Sequence, residues 1–456
     1  MSYDLAERLR QSVSSRVTAP LQWRHQQLRQ LSKLLREQSG PLTRAMAEDM
    51  GKPAVEGWLT DVAAVRRDID YVDRHLDRWA SPSRVKVPWQ LQPGRATTVP
   101  EPLGVVLVLG PWNYPVRCLV LPAAFALAAG NAVAAKPSEL APATSAELAR
   151  LLPHYVDERA LAVVEGGPAI AEQLLADRWD HVFFTGGGRV GRLVMRAAAE
   201  HLTPVTLELG GKNPAIVDRS ADVQATARRL AWGKFLNGGQ TCVGPDYLVV
   251  HTERADELVE ALKAQVARFF GPDPSASADF ARIVNDAHFD RLASLLARTR
   301  GRTVFGGQID AQRRYVAPTL VEAIGWDDPL MEEEIFGPVL PVLVYEEIDD
   351  VLHRLRSRDK PLAVYVYTTD DALVRRIVEE TSSGSVCVNH NALQLAVPEL
   401  PFGGVGASGM GAYHGRAGFE TFSHRKAVLV KRPRAEVPLV YPPYSRFKRW
   451  VLRRAA

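Results

Sequence analysis

Five apolar residues in a row, Val105-Val106-Leu107-Val108-Leu109, precede an apolar helical stretch, Pro122 to Ala129, and a second apolar run, Ala132-Val133-Ala134-Ala135-Lys136. Runs without polar alternation read as strands buried on both faces. Two such strands separated by a helix-length segment read as parallel, since antiparallel neighbours need only a tight turn. The rhythm continues through a helix from Thr144 to Leu152 and a strand, His181 to Thr185, that leads into Gly186. It resumes beyond Gly211 with strand Ala215-Ile216-Val217, helix Asp222 to Lys234, strand Tyr247 to Val250 and helix Asp256 to Phe269. A further strand is expected at Leu362 to Tyr367. The fold class is therefore α/β, with parallel sheet covered on both sides. A chain of 456 residues exceeds one hydrophobic core and should divide into two or three domains.

The flanks read differently. From Leu21 to Trp79 the pattern is helical, with Leu28, Leu31, Leu34 and Leu35 among charges. Between Ala80 and Pro102, prolines and β-branched residues predict extended chain, a hairpin standing outside the first domain. Lys431 to Ala456 carries eight basic residues and one acid, Glu436, which accounts for more than the whole net charge of +4 and leaves the body at −3. Nothing in the body therefore suggests nucleic acid. The N-terminus is polar and charged where a signal peptide would be apolar. Three scattered cysteines, Cys118, Cys242 and Cys387, are too few for a disulfide framework or a zinc site, and no metal is expected. A reducing cytoplasm fits them best.

Cys242 stands out because it closes a flexible polar run, Asn237-Gly238-Gly239-Gln240-Thr241, whose backbone can approach a substrate. A buried structural cysteine is the plainer reading. Against it stands Glu208, a lone carboxylate in the apolar, glycine-terminated segment Leu207 to Pro214. A thiol and a candidate base in two such segments suggest covalent catalysis. Gly186-Gly187-Gly188-Arg189-Val190-Gly191 satisfies G-x-G-x-x-G between a strand and a helix, so it is either a pyrophosphate loop or a tight turn. The usual ribose acid about 20 residues on would be Glu208, which conflicts with its role as a base. Lys136-Pro137-Ser138-Glu139 closes a strand and offers Lys136 and Glu139 to the ribose instead, unless it is a solvated turn. In Gly110-Pro111-Trp112-Asn113-Tyr114-Pro115, Asn113 either donates to an oxyanion or bonds its own backbone.

Together these segments, with Glu334-Ile335-Phe336-Gly337-Pro338 and Pro401-Phe402-Gly403-Gly404, resemble the aldehyde dehydrogenase superfamily in order and spacing from about residue 100 to 430. Pro245-Asp246-Tyr247 after the cysteine, Gly409 to Gly415 and Tyr441-Pro442-Pro443-Tyr444 look like its class 3 branch of fatty and aromatic aldehyde dehydrogenases. The resemblance implies that Cys242 is the nucleophile, Glu208 the base and Asn113, with the Cys242 N–H, the oxyanion hole. It places Lys136 and Glu139 on the adenosine ribose, Gly186, Gly187, Gly188, Arg189, Val190 and Gly191 over the pyrophosphate, and Glu334 and Phe336 at the nicotinamide and its ribose. Gly187 departs from the serine common in relatives, and Gly244 and Ala407 from the usual alanine and asparagine.

The implied reaction is NAD(P)-dependent oxidation of an aldehyde, apolar aliphatic or aromatic, through a Cys242 thiohemiacetal and thioester. NAD is the expected cofactor, with NADP as the alternative. Rival readings are a cysteine-dependent esterase, a coenzyme A-acylating dehydrogenase and, least supported, an idle dinucleotide-binding protein. The implied architecture is a Rossmann-like dinucleotide-binding domain (1–80 and 101–206), an α/β catalytic domain (207–397), a small β oligomerisation extension (81–100 and 398–430) and a basic tail (431–456). A homodimer is implied. The tail from Ser445 to Arg454 reads either as a basic amphipathic helix in weak contact with a membrane or over the active-site mouth, or as a frayed end.

Overall fold

The computed structural model describes residues 2–432 and 438–455. Residues 433–437, which include Arg434 and Glu436 of the basic tail, and the two end residues lie outside the described residues.

The apolar runs assemble into two principal sheets. The first has six strands in the order Gly409–Met410, Val205–Glu208, His181–Thr185, Val105–Leu109, Ala132–Lys136 and Leu161–Val163. All neighbours are parallel except the short first strand. Its register aligns Leu109 with Lys136 and Phe184, and Thr185 with Glu208. The segments singled out for chemistry after Leu109, Lys136 and Thr185 thus leave one edge of one sheet, the carboxyl edge where open α/β sheets bind ligands.

The second sheet has seven strands: Arg302–Phe305, Thr319–Glu322, Val339–Tyr345, Tyr247–His251, Pro214–Val217, Ala363–Tyr367 and Ser385–Val388. Only the first pair is antiparallel. The link from Leu209 to Asn213 crosses from the carboxyl edge of the first sheet to the amino edge of the second. The segments carrying Cys242 and Glu334 enter strands Tyr247–His251 and Val339–Tyr345 at that same amino edge. Two sheet edges therefore face one seam.

A third sheet pairs Ser83–Val85 with Gly94–Pro102, as the expected hairpin, and adds Ser423–Lys431 on the far side. Helix Ser2–Ser14 packs on strands Val105–Leu109 and Ala132–Lys136, while Leu21–Glu37 and Ala64–Ala80 pack on each other and on helix Arg117–Ala129, burying Leu28, Leu31, Leu34, Val65, Ile69 and Val72.

Two helices begin earlier than their sequence pattern indicates, each beside a proline. The helix expected from Pro122 begins at Arg117 and holds Pro122 inside it. Helix-type bonds from Cys118 N to Tyr114 O (2.9 Å) and Val120 N to Val116 O (2.8 Å) form ahead of the proline. The helix expected from Thr144 starts at Pro142, which suits a first turn because its missing N–H has no partner to lose there. Helix Val223–Phe235 is capped by Asp222, whose side chain accepts from Ala225 N at 2.9 Å. The tail does form a helix, Arg446–Ala455, with Phe447 and Trp450 exposed and Arg454 over the Trp450 ring at 4.1 Å. Among the described residues no helix is long and apolar enough to cross a membrane.

Candidate active site

Cys242 is reached through backbone that few residues can adopt. Asn237, Gly238 and Gly239 take φ values of 53°, 61° and 77° in succession. Gly239 has a further reason to be glycine: a side chain there would collide with the main chain of Gly337, which brings the Glu334–Pro338 segment against the cysteine turn. Asn213 pins the other side, donating from Nδ2 to the carbonyls of Cys242 at 2.7 Å and Gly244 at 3.0 Å. Gln240 is fully buried and bonds Asn237 O (2.9 Å), Arg282 O (3.0 Å) and Val284 N (3.0 Å). The thiol is thus carried on a rigid turn.

The cysteine opens onto a cavity of about 260 Å³ whose walls include Leu59, Tyr114, Trp232, Leu236, Leu395 and Phe402. Part of its rim is a π-helical turn, Trp58–Ala63, a local irregularity often found at functional sites. Burial pushes the Cys242 thiol up to about 12, and the nearby carboxylates of Glu334 and Glu208 add to the shift. The N–H groups of Val243 and of Cys242 itself act in the opposite direction. These are donors that would welcome negative charge at or beside the sulfur.

Glu208 ends its strand 3% exposed, and neither carboxylate oxygen has a hydrogen-bond partner among the described residues. Burial therefore raises its pKa well above the ordinary 4.5. An unpaired buried carboxyl within electrostatic reach of a thiol is costly to the fold, and such costs concentrate at active sites.

Asn113 is buried and donates from Nδ2 to Gln240 O at 3.1 Å, which leaves its second amide hydrogen unassigned. Its carbonyl accepts from Lys52 Nζ (3.1 Å) and Asn237 Nδ2 (3.0 Å). Lys52 is itself buried, paired with Asp61 at 2.7 Å and set 3.9 Å over the Tyr114 ring. Asp61 also accepts from the Arg117 main-chain N–H at 3.0 Å. Sequence reasoning missed Lys52, Asp61 and Asn213. Asn213 lay inside a quoted motif, whereas no spacing rule connects Lys52 with a loop 61 residues away.

The remaining residues outline a dinucleotide cleft. Helix Gly188–Ala199 starts at the end of strand His181–Thr185, and no side chain caps its N-terminus. An added Cβ on Gly187 would meet nothing within 4 Å, so the turn offers open backbone donors at a positive helix end. Lys136 and Glu139 lie at the same sheet edge, their side chains 3.1 Å apart. Glu334 lies against Gly210 and accepts from the Gly211 N–H; burial raises its pKa to about 8. Phe336, at φ 50°, meets Trp112 edge-on at 5.4 Å. A dinucleotide fits these residues. Anion donors, a ribose-edge acid and base, and an aromatic beside the cysteine turn occur in the order such a molecule would need.

A family model for the aldehyde dehydrogenase family matches residues 9–428. The chain belongs to the aldehyde dehydrogenase family. Aldehyde dehydrogenase family 3 member B1 of Homo sapiens is 44% identical over 97% of this chain and 94% of its own. Aldehyde dehydrogenase, dimeric NADP-preferring, of Rattus norvegicus is 43% identical over 94% of both chains. A solved structure of Staphylococcus aureus AldH in a substrate-bound state superposes with a TM-score of 0.95, at 38% identity, covering 99% of this chain and 98% of that one. The expected class 3 branch and α/β fold are borne out. This aldehyde dehydrogenase oxidises an aldehyde with NAD or NADP, and the esterase, acylating and idle alternatives find no support.

Proposed function

We propose that Cys242 attacks the aldehyde carbonyl, that Asn113 and the Cys242 N–H hold the resulting oxyanion, and that Glu208 activates the water that releases the acid. The observation that carries this reading is the buried Glu208 carboxyl, without a hydrogen-bond partner among the described residues and close enough to raise the Cys242 pKa. The thiol passes its proton to solvent as it bonds to carbon, so the sulfur is neutral when the thiohemiacetal forms. The negative charge then sits on oxygen, where the spare Asn113 hydrogen and the turn N–H groups would meet it. A nicotinamide held at Glu334 and Phe336 would supply the acceptor for the hydride of that carbon. Cys242 is left as a thioester, and Glu208, once ionised, takes a proton from water attacking it. General-base help of this kind is worth about 100- to 10,000-fold.

The test is Glu208→Gln. Mixing it with aldehyde and NAD should give a burst of NADH near one equivalent per site, followed by little turnover. An unchanged steady-state rate would remove Glu208 from the role of base.

Lys136, Glu139 and Gly186 to Gly191 are proposed to hold the adenosine and pyrophosphate, with Glu334 and Phe336 at the nicotinamide end. NAD is the proposed preference, because Glu139 repels a 2′-phosphate, while Lys136 offsets that repulsion enough to admit NADP. Comparing kcat/KM for the two cofactors decides it. The apolar cavity wall supports an aliphatic or aromatic aldehyde.

A homodimer through the three-stranded sheet is supported by its exposed Val85, Leu429 and Val430, and by the relative named dimeric. Light scattering that gives a monomer mass would reject it. The basic helix Arg446–Ala455, with Phe447 and Trp450 outward, supports weak contact with an anionic membrane. Equal vesicle sedimentation of the full chain and a chain ending before Lys431 would rule that out. Three free cysteines support a reducing cytoplasmic location, which cell fractionation would test.

A further inference from the structure

The cavity at Cys242 is apolar over most of its wall, yet two guanidinium groups, Arg67 and Arg117, line it and no acid does. Arg67 lies on helix Ala64–Ala80, and Arg117 opens the helix that follows the Asn113 loop. One acid lies between them, behind the wall. Arg117 Nη2 is 3.3 Å from Asp68 Oδ2, and Arg67 Nε is 3.9 Å from Asp68 Oδ1. Burial raises the Asp68 pKa in spite of both arginines, so this carboxylate offsets at most one of the two positive charges.

His414 adds nothing to that balance. Its Nε2 stands 3.5 Å from Arg117 Nη2, but burial and the Arg117 charge push its pKa well below the usual value and keep it neutral. The Arg117 side chain is 12% exposed, and its Nε and Nη1 have no partner among the described residues. Arg67, 53% exposed, stands toward solvent. A purely hydrocarbon substrate would cover these donors and leave them unsatisfied, at a cost. A carboxylate matches the planar fork and would complete it.

We infer that the substrate is an aldehyde whose apolar body ends in a carboxylate, held by Arg117 with Arg67 at the mouth. This rests on the proposed reading of Cys242 as the nucleophile facing this cavity. Arg117 is then a specificity-determining residue, acting on the end of the substrate remote from the chemistry.

The experiment compares three aldehydes of matched length, an ω-oxo acid, its methyl ester and the plain alkyl aldehyde, by NADH formation in the full-length protein. The acid should exceed the ester in kcat/KM by about 10- to 100-fold, mostly through KM. Arg117→Met should erase that preference while leaving the alkyl aldehyde within about threefold, and Arg117→Lys should retain part of it. If the loss of Arg117 leaves Asp68 so costly that the protein does not fold, Arg117→Met with Asp68→Asn gives the same reading. Equal rates on acid and ester in the parent protein, or a preference that survives Arg117→Met, would overturn the inference while leaving the cysteine mechanism intact. Turnover of none of the three would overturn both.

Discussion

Asn213 Nδ2 donates to the main-chain carbonyl of Cys242 at 2.7 Å, so the second residue after the Gly210-Gly211 pair, where the chain crosses between the two sheets, fixes the peptide that carries the thiol. The same side chain accepts from Ala363 N at 2.9 Å and donates to Gly244 O. It is fully buried. Asn213→Ala leaves three buried backbone groups without partners and should cost about 3 to 5 kcal/mol. Thermal unfolding should show a drop of several degrees, and kcat should fall more than KM rises because the attacking sulfur loses its position. A variant with normal stability and kcat would show that the turn holds itself.

Glu208 links catalysis to stability through one proton. In the folded protein burial keeps its carboxyl protonated at pH values where the unfolded chain, with an ordinary pKa of 4.5, has released it. Folding therefore takes up a proton in that window. The stabilisation is complete below about pH 4.5 and is lost as pH rises toward the folded-state pKa, by up to about 1.4 kcal/mol per pH unit. Glu208→Gln is neutral throughout and escapes the decline. Its melting temperature should gain on the parent protein as pH rises above about 5. A difference that does not change with pH would mean that burial does not raise the Glu208 pKa.

The resting thiol of Cys242 should react as a weak acid. With its pKa pushed up to about 12, the thiolate fraction grows about tenfold per pH unit without a plateau near 9, the ordinary value. In the absence of cofactor, inactivation by iodoacetamide should follow that slope between about pH 7 and 10. Above about 8 the Glu334 carboxyl is ionised and opposes the thiolate. Glu334→Gln should therefore speed alkylation several-fold at pH 9 and have less effect at pH 7. A rate that levels off below pH 9 would show that the thiol is activated before any ligand arrives.

How much of this was legible in the sequence depended on whether a contact was local. The uninterrupted apolar runs at Val105 to Leu109 and Ala132 to Lys136 announced buried parallel strands, because burial on both faces leaves no other pattern. The turn at Cys242 was legible because consecutive left-handed conformations select glycine and asparagine. The Lys52–Asp61 pair beneath Asn113 was not, since a buried ion pair under a loop arises from tertiary packing and carries no periodicity. Arg117 was hidden for a related reason. The helix was expected to begin at Pro122, which left Arg117 outside it with nothing to place it on a cavity wall.

Gly187 offers a gain rather than a loss. It stands at the N-cap of helix Gly188–Ala199 with φ −78° and ψ 149°, a conformation any L-residue adopts, and an added Cβ would meet nothing within 4 Å. Serine fits there without strain. Its hydroxyl would accept from a first-turn N–H, worth only a few tenths of a kcal/mol over glycine. It would also present a donor to a pyrophosphate seated on that helix end. Gly187→Ser should therefore raise the melting temperature by about a degree and lower KM for NAD several-fold, with kcat on a saturating aldehyde unchanged unless cofactor release limits it. Tighter binding in the variant, read by titration of the dinucleotide in the absence of aldehyde, would support this turn as the pyrophosphate site. If affinity is unchanged while the melting temperature rises, the hydroxyl serves only the helix, and the pyrophosphate lies elsewhere along the sheet edge.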